Sequence, residues 1–218
     1  ILITAGSTRG YLDAIRYITN TSTGKLGREI AYEAMSHGAV VTYIYGADSL
    51  FPVIEDHNDI KPSQLKLIEI ETNDDLTRVI REKLKNRKFD AIVHAMAVAD
   101  YVPSMAKPDK TPSEKKEWLL KLVKTLKVIT IIRDMWPDAL LVGFKLEVNR
   151  TKGDLIKTAK RFLTKNRANL VVANDYKDIS RSRHIAYMVT GDSEMPKPLK
   201  GKTEIAENII SYLENTLK

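Results

Sequence analysis

Apolar residues recur along this chain in two alternating rhythms. Ile1-Leu2-Ile3-Thr4 is a short continuous run ending in Ala5-Gly6-Ser7-Thr8, the pattern of a buried strand followed by a turn. Residues 24–37 then place Leu26, Ile30, Ala31, Ala34 and Met35 at helical spacing; Gly38 supplies a C-terminal stop, and residues 39–45 return to a β-branched, apolar run. Together these predict a βαβ unit. A second round predicts a strand at 67–70, a helix at 74–86 and a buried strand at 90–95. Beyond it come a helix-like stretch at 118–135, a strand at 139–144, a helix at 153–166, strands at 169–173 and 185–189, and a closing amphipathic helix at 205–217. Within the 118–135 stretch, residues 125–131 are ambiguous because β-branched side chains dominate. The alternation predicts the α/β class: a Rossmann-like, mainly parallel sheet with helices on both faces, as a single domain over 1–218. In such sheets ligands bind beyond the carboxyl ends of the strands, which singles out the residues just after Thr4, Ala95, Val142 and Ala173.

Residues 103–117 break the rhythm. Pro103, Pro108 and Pro112 alternate with Lys107, Lys110, Lys115 and Lys116, and apolar content is low, so a mobile flap is expected, with a solvated linker as the plainer reading. Its position beside Asp100 favours function.

Composition narrows the chemistry. The chain has 218 residues and no cysteine, which removes disulfides, thiolate nucleophiles and cysteine-ligated metals and fits a reducing compartment. No apolar run approaches the roughly 18 residues of a membrane span, and no basic leader precedes Ile1, so a soluble protein without a signal peptide is expected. A formal charge of +7 favours anionic partners, with nucleic acid, anionic membrane and phosphorylated small molecules all open.

The segment from Arg16 to Gly27, RYITNTSTGKLG, leads into the first helix with small and polar residues. Free N–H groups at a helix start, Ser and Thr hydroxyls and the positive end of the dipole converge there on an anion, phosphate or carboxylate. Two glycines at a helix start are also commonly just a tight backbone entrance. Asn20 beside Ser22 and Thr23 adds an amide able to donate to a carbonyl while the hydroxyls hold a phosphate. After His94, the small residues Ala95 to Ala99 allow a flat ring close to the backbone, and Asp100 either meets a base or metal or caps a turn. His94 itself reads as a satisfied core histidine. Lys157, Lys160, Arg161 and Lys165 share one helical face, which is either a solvated surface or part of a triphosphate site.

In their order, these segments resemble the phosphopantothenoylcysteine synthetases (phosphopantothenate-cysteine ligases) of coenzyme A biosynthesis. The resemblance rests on Thr4-Ala5-Gly6-x-Thr8, Asp13-x-x-Arg16-x-Ile18-x-Asn20-x-Ser22-x-Gly24-x-x-Gly27, Ala97-Val98-Ala99-Asp100-Tyr101, Gly143-Phe144, and Lys165-Asn166 before Ala173-Asn174-Asp175. It implies a cytoplasmic enzyme in which the carboxylate of 4'-phosphopantothenate attacks a nucleotide α-phosphate and cysteine's amine displaces the nucleotide. CTP is expected in preference to ATP, with Mg²⁺ bridging the phosphates and a homodimeric state. By match, Asn20 and the flap lysine Lys110 carry catalytic roles, and Asn20, Ser22, Thr23 and Gly24 hold phosphopantothenate. Gly6, Ser7, Thr8, Ala97, Asp100, Phe144, Arg161 and Lys165 hold the nucleotide; no metal ligand is assigned. With no decarboxylase segment before Ile1, a stand-alone bacterial form is expected. The chain departs from the family pattern in its first loop, Gly6 to Asp13, where many members carry a second glycine and a Glu-Pro pair. Arg161 stands where lysine is usual, and the flap lacks a K-x-K motif.

Two other functions compete. An NAD(P)-dependent oxidoreductase lacks support, because G-x-G-x-x-G is missing and no acidic residue ends the second strand near Tyr43 to Gly46. A basic nucleic-acid-binding module lacks a stacking platform, since Phe51, Phe89, Trp118, Trp136, Phe144 and Phe162 are dispersed.

Overall fold

The computed structural model describes residues 1–55, 57, 59–114, 116–180, 183–192 and 195–218. Its chain order is β1 (Leu2–Ala5), β2 (Arg9–Tyr11), β3 (Tyr17–Thr19), α1 (Lys25–Ser36), β4 (Val41–Gly46), β5 (Leu65–Ile70), α2 (Asn73–Arg78), β6 (Ala91–His94), β7 (Tyr101–Pro103), β8 (Leu122–Lys124), α3 (Val128–Met135), β9 (Leu140–Glu147), α4 (Lys152–Asn166), β10 (Leu170–Ile179), β11 (His184–Val189), β12 (Pro198–Lys200) and α5 (Lys202–Leu217). Eight strands form the central sheet in the order β12-β11-β10-β9-β6-β1-β4-β5. The six from β10 to β5 run parallel, and β11 and β12 are antiparallel additions at one edge.

Alternate residues of β1 enter separate cores, as the two-residue period of a strand requires. Ile3 and Ala5 pack with Ile30, Ala34 and Met35 of α1 and Ile205, Ile209 and Leu213 of α5. Leu2 packs on the opposite face with Leu76 of α2, Ile132 of α3 and Leu155 and Ala159 of α4. A sheet covered on both sides needs near-continuous apolar strands, and β1, β6 and the start of β10 are fully buried.

Three local readings change in the structure. Residues 118–127 are not helical: Leu122–Lys124 pairs with Tyr101–Pro103 as an antiparallel ribbon, and helix begins only at Val128. Leu119, Leu122, Val123 and Leu126 are all exposed, so a helix there would bury no stripe and would lack the tertiary packing that supports short helices. From Val128 onward, Val128, Ile129 and Ile132 are buried, which resolves the ambiguous residues 128–131 as helix. The 74–86 helix is Asn73–Arg78 continued by a π-helical turn, Val79–Lys83. The hairpin of β2 and β3 and the edge strand β12 went unread in the sequence.

The β7–β8 ribbon closes the base of the proline- and lysine-rich segment. Of its four lysines, Lys115 lies outside the described residues. No helix among the described residues is long and apolar enough to cross a membrane.

Candidate active site

The chain leaves β1 for β4 on one side, while β6 pairs with β1 on the other, so the strand order reverses between β1 and β6. Loops leaving two such strands diverge and leave a crevice at their carboxyl ends. A cavity of about 570 Å³ lies at this edge of the sheet, lined by residues 20–27, 94–98, Asp100, 126–129, 144–146, Phe162, Asn174, Tyr176, Ile179, His184 and Lys202.

Asn20, Ser22, Thr23 and Gly24 all line this cavity. Gly24 caps α1 with φ of 78° and no side-chain cap, leaving the first N–H groups of the helix for an external acceptor. A side chain there would be strained and would set Cβ 2.9 Å from the Leu50 carbonyl, so the open cap is built on glycine. Asn20 donates from Nδ2 to the Ala97 carbonyl at 3.0 Å, which brings two sequence-predicted residues 77 positions apart into contact.

The first loop plays a different part from its neighbours. Gly6, Ser7 and Thr8 are not among the cavity-lining residues; they lie behind it, alongside Ala97. Ala97 donates its N–H to the Gly6 carbonyl at 2.8 Å, and Thr8, fully buried, accepts the Ala99 N–H on Oγ1 at 2.9 Å. This loop thereby fixes the path of Ala97 to Ala99 across the cavity wall.

Asp100 is the carboxylate lining the cavity among the described residues, and Lys127 Nζ donates to it at 2.6 Å. Phe144 lines the wall from β9. Gly143 beside it leaves room for Phe162, whose Cε1 would lie 2.8 Å from a Cβ at that position. Arg161 and Lys165 flank Phe162 on α4 but line a separate shallow surface hollow with Lys160 and Thr164. Lys110 is exposed on the proline-rich loop, outside the cavity lining. That loop is pinned to the β2–β3 turn: Thr111 donates its N–H to Asp13 at 3.0 Å and accepts from Arg16 Nη1 at 3.0 Å. Burial alone would raise the Asp13 pKa, but the N–H groups of Thr111, Ile15 and Arg16 and the Arg16 guanidinium hold it well below the usual carboxylate range.

Residues 1–217 match the DNA/pantothenate metabolism flavoprotein C-terminal domain. The chain belongs to this family. It is similar to the coenzyme A biosynthesis bifunctional protein CoaBC of Thermococcus kodakarensis, 35% identical over 217 residues that make up all of this chain and 51% of that protein. The chain thus spans about half the length of the curated relatives it matches. Among solved structures, the DNA/pantothenate metabolism flavoprotein of Streptococcus pneumoniae superposes with a TM-score of 0.85 at 31% identity, covering 99% of this chain and 98% of that one. A Cab2 mutant solved with phosphopantothenate-cysteine shares the fold, with a TM-score of 0.78 at 20% identity, over 99% of this chain and 85% of that one.

Seen as a member of this family, the chain lines its cavity with several residues that the motif comparison passed over: Lys127, Lys145, His184 and Lys202. Lys127 and Lys145 each sit within one or two residues of a strand end or helix start, a position that flags loops but not individual side chains. His94, read as a core histidine, is buried, with Nδ1 2.7 Å from the Thr4 hydroxyl, and burial pushes it down to about 4. It nevertheless reaches the cavity floor. His184 and Lys202 carried no sequence signal because β11 joins the sheet as an antiparallel addition and α5 packs beside α1, placements that local periodicity does not reveal.

Proposed function

We propose that this domain is a cytoplasmic phosphopantothenate-cysteine ligase, joining 4'-phosphopantothenate to cysteine through an acyl-nucleotide, with CTP as the nucleotide. The observation that carries the reading is the open start of α1 beside the Asn20 amide on Ala97. Family membership supports it, as do the CoaBC relatives of coenzyme A biosynthesis and the Cab2 complex.

Both half-reactions move negative charge, and the cavity favours anions: Lys25 and Lys202 line it without a carboxylate partner among the described residues. In the first, a substrate carboxylate oxygen attacks the α-phosphorus and pyrophosphate leaves. The N–H groups of α1 with the Ser22 and Thr23 hydroxyls hold the anionic oxygens in place. In the second, cysteine's amine attacks the acyl carbon and the nucleoside monophosphate leaves. One Asn20 hydrogen is committed to Ala97, which fixes the amide, and its second N–H is left to donate to the acyl carbonyl as negative charge develops there. The backbone run from Ala95 to Val98, with Asp100 and Phe144, offers a flat slot for the base. Arg161, Lys165 and Lys110 extend the basic surface toward the triphosphate.

Magnesium fits this donor set as a nucleotide-borne ion. No cluster of three or more metal-binding side chains occurs among the described residues, and Mg²⁺ is commonly carried by substrate phosphates and waters, which leaves Asp100 to Lys127 and the base slot. When bound, it neutralises phosphate charge. A homodimer is part of the proposal, supported by the exposed Leu119, Leu122, Val123 and Leu126 on and beside the β7–β8 ribbon.

The test is mass spectrometry of products after incubation with 4'-phosphopantothenate, cysteine and Mg²⁺, with CTP or ATP supplied separately. Phosphopantothenoylcysteine with CMP is expected; no turnover with either nucleotide by folded protein sinks the reading. Asn20→Asp replaces the donor with a charge that the Ala97 carbonyl repels. It is expected to slow the second half-reaction by roughly 10²–10³-fold, the loss typical of an oxyanion donor, so that the acyl-nucleotide accumulates.

A further inference from the structure

The β10–β11 end of the cavity holds a polar group with an unmet demand. Asn174 Nδ2 lies 3.0 Å from the Ile185 carbonyl and 3.0 Å from His184 Nε2. The carbonyl accepts only, which fixes that Asn174 atom as the amide nitrogen. His184 Nε2 must then accept, so the imidazole proton sits on Nδ1. Nδ1 is buried without a hydrogen-bond partner, in a side chain belonging to a residue only 8% exposed. A buried donor left unpaired costs free energy that an arriving acceptor recovers.

The surroundings select the acceptor. Lys202 lines the same end and its charge acts on His184. Gly201, at φ 90°, caps the 16-residue helix α5 with no side-chain cap and donates its N–H to the His184 backbone carbonyl at 2.7 Å, which ties the start of α5 to the start of β11. Glu204, the acidic residue of the first turn, is engaged by the Lys200 N–H at 2.7 Å. Burial, and then the Lys202 charge, push the imidazole down to about 4, so it stays a neutral single donor at physiological pH. The strand carrying His184 lies three strands from β6, whose following loop carries the Ala97 that holds Asn20, a spacing of roughly 14 Å across the sheet at 4.8 Å per strand.

We propose that His184, Lys202 and the amino end of α5 form a second oxyanion subsite, which takes a phosphate group of an elongated substrate whose other end reacts at Asn20. The subsite follows from these residues; the ligase reading enters only in naming which phosphate occupies it, that of the phosphorylated acid or that of the nucleotide.

Imidazole ¹H–¹⁵N spectra of the protein labelled at its four histidines test it directly. The ligand-free protein is expected to show His184 as the Nδ1–H form, with that proton moving downfield on addition of inorganic phosphate and of whichever substrate supplies the group. Calorimetric titrations with inorganic phosphate, 4'-phosphopantothenate, pantothenate and CTP distinguish the sources. His184→Ala is expected to weaken the occupying phosphate ligand about tenfold, the loss of one hydrogen bond to a charged group, and to leave pantothenate unchanged. His184→Asn, whose amide reproduces the Nδ1 donor position, is expected to restore most of the affinity. A His184 ring protonated on Nε2, or an Nδ1–H that responds to none of the phosphate ligands, overturns the subsite. Inorganic phosphate engaging His184 while neither substrate binds upholds the subsite and sinks the ligase reading. Substrates binding with no effect at His184 do the reverse.

Discussion

Acid should destabilise this domain through His94 well before its carboxylates are protonated. His94 lies in the middle of the parallel sheet, on β6 opposite Thr4, with Nδ1 against the Thr4 hydroxyl and, among the described residues, no carboxylate paired with it to stabilise an imidazolium. Its pKa falls from 6.5 to about 4 because burial penalises the charged ring. In the unfolded chain the ring takes up a proton below about 6.5, whereas the native ring does not until about 4, so the unfolded state binds more protons across that window. The contribution is therefore intact above pH 6.5 and is lost as pH falls toward 4. At 1.36 kcal/mol per pKa unit the loss is about 2 kcal/mol at pH 5, a large share of a typical stability of about 5–15 kcal/mol. Urea unfolding at pH 7.5 and 5.0, followed by the fluorescence of the buried Trp136, measures it. His184 has the same sign and His37, whose pKa is raised by Glu214, the opposite one, so the quantity to compare is the pH dependence of wild type minus that of His94→Gln. Removing the titrating ring is expected to flatten the dependence by about 2 kcal/mol between the two pH values. Equal pH dependence in the two proteins would refute the assignment, whatever the absolute stability of the variant.

Two further substitutions probe the frame of the site. Gly46→Ala would place Cβ 1.9 Å from the Ser7 carbonyl oxygen, a backbone atom that cannot step aside without moving the first loop; a loss of more than about 3 kcal/mol in urea unfolding is expected, and a wild-type midpoint would contradict the packing. Asp13→Ala removes the carboxylate that gathers Thr111, Ile15 and Arg16, so tryptic cleavage after Lys110 should accelerate while the rest of the chain stays resistant; because the Asp13 pKa is lowered, wild type should keep this protection through mildly acidic pH.

Much of the site was legible because its residues sit at fixed places in the βαβ grammar. Asn20, Ser22, Thr23 and Gly24 precede an amphipathic helix, and Ala97 and Asp100 follow a buried strand, so sequence alone brought them to the carboxyl edge of the sheet. The first loop was legible as a segment but not in its action: the resemblance implies that Thr8 holds the nucleotide, and in space it is a buried acceptor for the Ala99 N–H. Arg161 and Lys165 share a helical face by periodicity, yet that face opens on a hollow of its own beside Phe162.

The sequence by itself determined the class, the order of the parallel elements and the open start of α1, since each depends on local periodicity, glycine placement and capping, which act within a few residues. Only the tertiary structure decided which side chains share the cavity. The tautomer of His184 is set by an amide ten residues away across an antiparallel pair, and the neutrality of His94 by its place between neighbouring strands. The seating of the proline-rich loop is set by a carboxylate 98 residues away. These are consequences of burial and of contacts between distant segments, and neither quantity exists until the chain has folded.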